Sequence, residues 1–117
     1  MEGKLAINIY HFYSLEITGG LEEILFGIEE EGLPWSVTAS EEKDSKVLGN
    51  IASQTSKLGV GIGIGVDGVT LHHDKLEKYK PLFTYSLSSA REIFRMLGMN
   101  GARLIKGEPF VIPKGGK

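Results

Sequence analysis

The chain has 117 residues, the length of one domain, and its 13 basic against 15 acidic residues leave a formal charge of −2. That balance argues against a nucleic-acid-binding surface, which needs a basic excess. The absence of cysteine excludes disulfides, thiolate metal sites and cysteine nucleophiles, and the 41% apolar fraction is that of an ordinary globular protein.

The amino-terminal segment MEGKLAINIYHFY has no long hydrophobic region of the kind a signal peptide needs, and no stretch approaches transmembrane length. The expected location is therefore the cytoplasm, with no membrane contact. Residues 4–10, KLAINIY, alternate Ile7 and Ile9 and predict a first strand, followed by a loop over 11–17. Thr18 is placed to cap a helix whose apolar residues Leu21, Ile24, Leu25 and Ile28 follow the helical spacing.

That helix should end at Gly32, with Pro34 preventing continuation. Its last turn carries Glu29, Glu30 and Glu31, where unpaired carbonyls favour cations instead. At 100° per residue, Glu30 falls almost opposite the apolar stripe, and Glu29 and Glu31 fall near its two edges. Phe26, four residues before Glu30, shares the outward face. An aromatic ring and a carboxylate cluster opposing the helix dipole suggest a cation or basic partner supplied from outside. A plain solvated acidic face is the competing reading.

Residues 34–39, PWSVTA, predict a second strand. The segment 41–57 predicts a second helix with Asp44 as its cap and with Val47, Leu48, Ile51 and Leu58 facing inward, although Gly49 weakens it. In GVGIGIGVDGVTLHH, residues 59–73, Val60, Ile62, Ile64 and Val66 occupy alternate positions of a strand, and Asp67-Gly68 is a favoured pair for a tight hairpin turn. PLFTYS, 81–86, predicts a fifth strand, and residues 88–107 a last helix broken at Gly98 or Gly101. A Pro/Gly/Lys tail follows, flexible over 113–117. Alternating strands and helices with one hairpin give a single three-layer α/β/α domain over 1–117 with a mixed five-stranded sheet and one antiparallel member.

The glycine-rich strand does not match a phosphate loop, whose glycines must sit at a strand-to-helix turn. Gly59, Gly61, Gly63 and Gly65 instead leave one sheet face bare, so that a helix, or less readily a docked partner, can approach the backbone. His72 and His73 are adjacent on a strand and point to opposite faces, so they do not share an ion. Ser14, Ser86, Ser88 and Ser89 lack a paired base. On these residues the chain reads as a binding domain with no catalytic residues and no cofactor of its own.

Three blocks, GIEEEGLPW (27–35), PLFTY (81–85) and NGARLIKGEPF (100–110), in this order and at these intervals, resemble the small subunit of the diol/glycerol dehydratase reactivase family. The resemblance spans most of the chain. Residues 40–58 match only in outline, and the glycine-rich strand keeps the element formed by Gly63, Ile64 and Asp67. It implies a non-catalytic subunit, with an anticodon-binding-domain-like fold, that pairs with a large chaperone-like ATPase subunit. It implies a role in releasing damaged cobalamin from an adenosylcobalamin-dependent diol or glycerol dehydratase by subunit exchange. The setting would be the cytoplasm, with association with a bacterial microcompartment as an option.

By the same resemblance, Glu30 alone matches a metal ligand shared with the large subunit, as Mg²⁺ or Ca²⁺. Phe26, Glu29 and Glu31 would flank it at the partner interface. Arg103 and Lys106, three apart near a helix carboxyl end, either cap that helix or dock a partner. The alternatives are a medium-subunit-like domain of a B12-dependent dehydratase, whose amino-terminal region is usually longer, and a small nucleotide-binding α/β protein.

Overall fold

The computed structural model describes residues 5–16 and 18–112, without the side chain of Thr18. The expected cap at Thr18, the flexible tail at 113–117 and the strand start at Lys4 lie outside the described residues. The elements run β1 (Ile7–Phe12), α1 (Thr18–Glu30), β2 (Trp35–Ser40), α2 (Ser45–Gln54), β3 (Val60–Gly65), β4 (Gly68–His73), β5 (Phe83–Tyr85) and α3 (Arg91–Lys106). The sheet order is β2-β1-β3-β4-β5. β1 pairs in parallel with β2 and β3, while β4 is antiparallel to both β3 and β5. The expected mixed five-stranded sheet with one reversed member is therefore present.

The two sheet faces are built from different chemistry. On one, Ile7, Ile9, Val60, Ile62, Ile64, Val69 and Leu71 join Ile24 and Ile28 of α1 and Phe94 and Leu97 of α3 in the main apolar core. On the other, α2 lies directly on the glycine backbone of β3. A Cβ added at Gly61 would fall on Ser53 N, at Gly63 on Ser45 O and Gly49 N, and at Gly65 on Lys43 O. Close packing of a helix thus explains the alternating glycines, as the bare face implied.

Because that contact is backbone against backbone, hydrogen bonds hold much of it. Asp44 caps α2 by accepting from Lys46 N and Val47 N. Asp67 accepts from Ser45 N and Ser45 Oγ, each at 2.8 Å, and Asn8 Nδ2 donates to Thr55 Oγ1 at 2.9 Å. The buried positions of α2 are Ser45, Leu48, Gly49, Ala52 and Ser53, so Leu48 was placed correctly and the rest of the expected inward stripe was not. Val47, Ile51 and Leu58 are only partly buried. An apolar wheel fails here because the inward side must be small, and Gly49 belongs to the contact.

Other boundaries differ as well: β1 continues through His11 and Phe12, where a loop was expected, and β5 is confined to Phe83–Tyr85. The hairpin turn is Val66-Asp67, with Gly65 paired to Gly68. Val66 is 54% exposed instead of continuing the strand. Neither turn residue has positive φ, so the turn is not the mirror-image form that Asp-Gly favours, and Gly68 takes the unusual φ of 149° as the first residue of β4. Helix α3 is continuous through Gly98 and Gly101. A Cβ on Gly98 would meet Ile24 O, and one on Gly27 would meet Arg95 O and Met99 N. These glycines let α1 and α3 cross at close range, and the packing keeps the helix intact where local propensity favours a break.

Candidate functional site

Helix α1 ends as its sequence implies. Gly32 has φ 82°; Gly32 N donates to Glu29 O at 3.0 Å and Leu33 N to Ile28 O at 3.3 Å. This pair of bonds is the Schellman arrangement, which satisfies the last carbonyls. Pro34 O then accepts from Ile7 N at 3.0 Å, carrying the chain into β2 beside β1.

The neighbour that the helical wheel could not supply is α3. Gly20 of α1 faces the ring of Phe94, Gly27 faces Arg95 and Met99, and Glu31 meets Arg103 and Lys106. Both helices therefore run in the same direction, and their two negative carboxyl ends lie together. The cations that this requires come from α3 itself. Lys106 Nζ donates to Glu31 O at 2.9 Å and to Glu31 Oε1 at 2.7 Å. Arg103 Nε donates to Glu31 Oε2 at 3.1 Å, and its Nη1 donates to Pro109 O at 3.1 Å.

Each of the three glutamates has its own partner. Glu29 Oε2 accepts from Trp35 Nε1 at 2.9 Å. Glu30 Oε2 accepts from Arg95 Nη1 at 2.8 Å and its side chain is 52% exposed. The side chain of Glu31 is 9% exposed and lies between the helices. The guanidinium of Arg95 also sits 5.5 Å from the ring centroid of Phe26. Cations from a helix about seventy residues away thus already contact the outward aromatic ring and two of the carboxylates that oppose the dipole.

The arrangement brings Phe26, Glu29 and Glu30 together on the surface, and places Glu31, Arg103 and Lys106 beneath them as a brace. Two residues were missed by reading the sequence. Trp35 is 38% exposed and extends the surface beside Glu29; its position just after Pro34 was a usable signal. Glu23 is a buried carboxylate held by Arg91 and Arg95, and at four residues before Gly27 it faces α3 just as Glu31 does four residues after.

The other candidates are accounted for locally. His72 is fully buried with Nε2 2.9 Å from Lys78 O, whereas His73 is partly exposed and pairs with Asp74 at 3.2 Å. Ser86 and Ser88 bond each other at 2.8 Å. Among the described residues no three His, Asp or Glu side chains cluster to hold a metal by themselves, and no helix is long and apolar enough to cross a membrane.

The hydrogen bond from Lys106, aided by Arg103, holds the Glu31 carboxyl below its ordinary value, with burial opposing it. A lowered folded-state value stabilises fully above the ordinary glutamate range and is lost as pH falls through that range toward the lowered value. Glu31→Gln is therefore expected to lower the thermal midpoint at neutral pH by several degrees, more than Glu29→Gln or Glu30→Gln. The gap from the parent should close on acidification. Thermal melts of the three variants over that pH span check this. A gap that stays constant with pH would show that the ionised carboxylate contributes nothing. Charge reversal at Arg103 and Lys106 together is expected to lower stability, because both act on Glu31.

Comparison with known proteins places this geometry in context. Residues 5–111 match the family model described as dehydratase medium subunit. The propanediol dehydratase-reactivating factor small subunit of Citrobacter freundii is 38% identical over 88 residues, covering 75% of this chain and 76% of the relative. The probable glycerol dehydratase-reactivating factor small subunit of the same organism is 28% identical over 106 residues, covering 89% of this chain and 91% of the relative. Among solved structures, a glycerol dehydratase reactivase superposes with a TM-score of 0.87 at 29% identity, over 91% of this chain and 96% of that chain. A diol dehydratase-reactivating factor complexed with ADP and Mg²⁺ superposes at 0.82 with 33% identity and the same coverage.

Proposed function

The chain belongs to the dehydratase medium-subunit family and, within it, to the small subunits of diol and glycerol dehydratase-reactivating factors, and from that membership we propose how its surface is used. It pairs with a large ATPase subunit and, in that complex, promotes release of damaged cobalamin from a B12-dependent diol or glycerol dehydratase. It does so by exchanging with a dehydratase subunit, and it contributes no catalytic residue.

The observation that supports this most is the α1 carboxyl end. Phe26, Glu29, Glu30 and Trp35 form an exposed acidic and aromatic surface on a rigid support. Exposed aromatic side chains are enriched at protein interfaces, whereas carboxylates are depleted there, so an acidic group among them calls for a charge supplied by the partner. Glu30 fits a cation shared with the large subunit. Its carboxylate is exposed, and among the described residues only Oε2 is engaged, which leaves Oε1 as a donor. A single carboxylate oxygen suits Mg²⁺ or Ca²⁺ whose remaining ligands come from elsewhere. Bound there, the ion would bridge the two subunits electrostatically.

The family description itself favours one other reading, a medium-subunit-like domain built into a dehydratase. Affinity isolation of the tagged chain from its host separates the two. Co-purification of a large ATPase subunit is expected, and the complex with ATP should restore an inactivated dehydratase supplied with intact coenzyme. Stoichiometric co-purification with catalytic dehydratase subunits, without an ATPase, would favour the alternative. The isolated chain is also expected to neither bind nor hydrolyse ATP, since α2 fills the face that the glycines of β3 leave bare. Stoichiometric ATP binding by the pure chain, measured by calorimetry, would return the nucleotide-binding reading.

A further inference from the structure

The ion pairs between α1 and α3 form a continuous chain that ends on Glu30. Its root is Glu23, whose side chain is 10% exposed. Glu23 Oε2 accepts from Arg91 Nη2 at 3.1 Å, and Glu23 Oε1 accepts from Arg95 Nε at 3.0 Å. With Nε committed inward, the planar guanidinium directs Nη1 outward to Glu30 Oε2 at 2.8 Å. The ring of Phe26 lies against the same guanidinium, with 5.5 Å from Cζ to the ring centroid. Both carboxylates hold the guanidinium charged, and Glu23 is the larger cause of its raised pKa.

We propose that Arg95 is a positioning residue for Glu30: it fixes the carboxylate through Oε2 so that Oε1 is presented to the partner's cation. The proposal rests on the reading of Glu30 as a shared ligand. A half-exposed glutamate without this bond would sample several rotamers and lose that freedom on binding. Hydrogen-bonded partners behind a ligand typically account for about 10–100-fold in metal affinity.

Two effects oppose the proposal. Arg95 is itself a cation near the ion, and it competes for the carboxylate. Both are weakened by the same geometry. Arg91, Glu23, Arg95 and Glu30 carry two positive and two negative charges, so the chain is neutral as a whole. Arg95 occupies only one oxygen of Glu30 and is anchored by Glu23 rather than by Glu30 alone. Orientation should therefore outweigh repulsion. A lysine could not replace it, because an ammonium on a flexible stem cannot hold two carboxylates in the fixed directions of a guanidinium fork.

The test is a binding titration of the isolated chain against the large ATPase subunit, with Mg²⁺ and with a chelator. The chains are the parent, Arg95→Gln, Arg95→Lys, Glu30→Gln and the Arg95→Gln/Glu30→Gln double variant. Thermal melts of each accompany the titration, to score binding only for folded protein. Arg95→Gln is expected to weaken Mg²⁺-dependent binding by about tenfold. It should have no effect in chelator and add nothing to Glu30→Gln. Arg95→Lys should bind like Arg95→Gln.

If Glu30→Gln weakens binding but Arg95→Gln binds as tightly as the parent, or more tightly, positioning is wrong and the shared-ion reading survives. Equal weakening by Arg95→Gln in the Glu30→Gln background would mean that Arg95 touches the partner directly, which also overturns the proposal. If Glu30→Gln itself binds like the parent, the shared-ion reading fails and takes this inference with it.

Discussion

Glu30→Gln is expected to weaken binding to the large subunit by about 2 kcal/mol or more when Mg²⁺ is present, by analogy with charge pairs at protein interfaces. The substitution keeps the size of the side chain and removes the charge an ion needs. Its cost to the isolated domain should be small. From sequence alone, relief of repulsion at the helix end predicts a neutral or slightly stabilising change. The structure alters that sign, because the substitution also weakens the hydrogen bond from Arg95 Nη1 to Glu30 Oε2. The pair is largely open to solvent, so the loss should be small.

Chelation of the unmutated pair should reproduce the binding loss, and mutation and chelation should not add, since both remove one interaction. Glu29→Gln should have a smaller effect on binding, since glutamine can still accept from Trp35 Nε1. Glu31→Gln should change stability more than binding, because Glu31 lies between the helices. Titration of all three variants with and without chelator measures this. Metal-dependent binding by Glu30→Gln as tight as the parent would leave the outward carboxylates as no more than a solvated face.

Gly63→Ala is expected to cost about 3 kcal/mol or more of folding stability, at or beyond the upper end for overpacking a core. The new methyl would fall on Ser45 O and Gly49 N, which are backbone atoms of α2 and cannot rotate away. The helix must lift from the sheet, weakening the bonds from Ser45 to Asp67 and from Asn8 to Thr55. Strain in φ plays no part, since Gly63 is not among the positive-φ glycines.

Gly101→Ala is the matched control. Its Cβ would meet Leu71 at 3.5 Å, Val60 at 3.6 Å and Ile7 at 3.8 Å, all ordinary contacts. Alanine is the better helix former by about 1 kcal/mol, so this variant should be neutral or more stable. Denaturant unfolding of both variants checks the contrast. A Gly63→Ala protein as stable as the parent would show that α2 is not packed as described. The surface at the α1 end lies on the opposite side of the sheet, so Gly63→Ala protein that remains folded should bind the large subunit normally.

The sequence by itself determined what depends on a residue and its own backbone. The alternation of Val60, Ile62 and Ile64 against glycine defined β3 and left a face for a helix. Asp44 could cap α2 because its carboxylate needs only the amides two and three residues on. Gly32 could end α1 because only the left-handed conformation there closes the Schellman bonds. The order of strands and helices, and hence the layered fold, follows from such local signals.

Only the tertiary structure decided where α3 lies. A helical wheel assigns one buried direction, but α1 has two neighbours, the sheet and α3. The side facing α3 is marked by Gly20 and Gly27 rather than by apolar residues, so no hydrophobic stripe announces it. Burial of Glu23, the placing of Glu31 between the helices, and the pairing of Glu30 with Arg95 followed from that placement. These contacts join residues 65 to 75 positions apart and form only when two glycine-lined helices run side by side in the same direction. Long-range ion pairs of this kind have no local pattern to read, because either partner alone looks like a solvated charge. The same reason hid the role of Gly98, which looks like a helix breaker until Ile24 O is found against it.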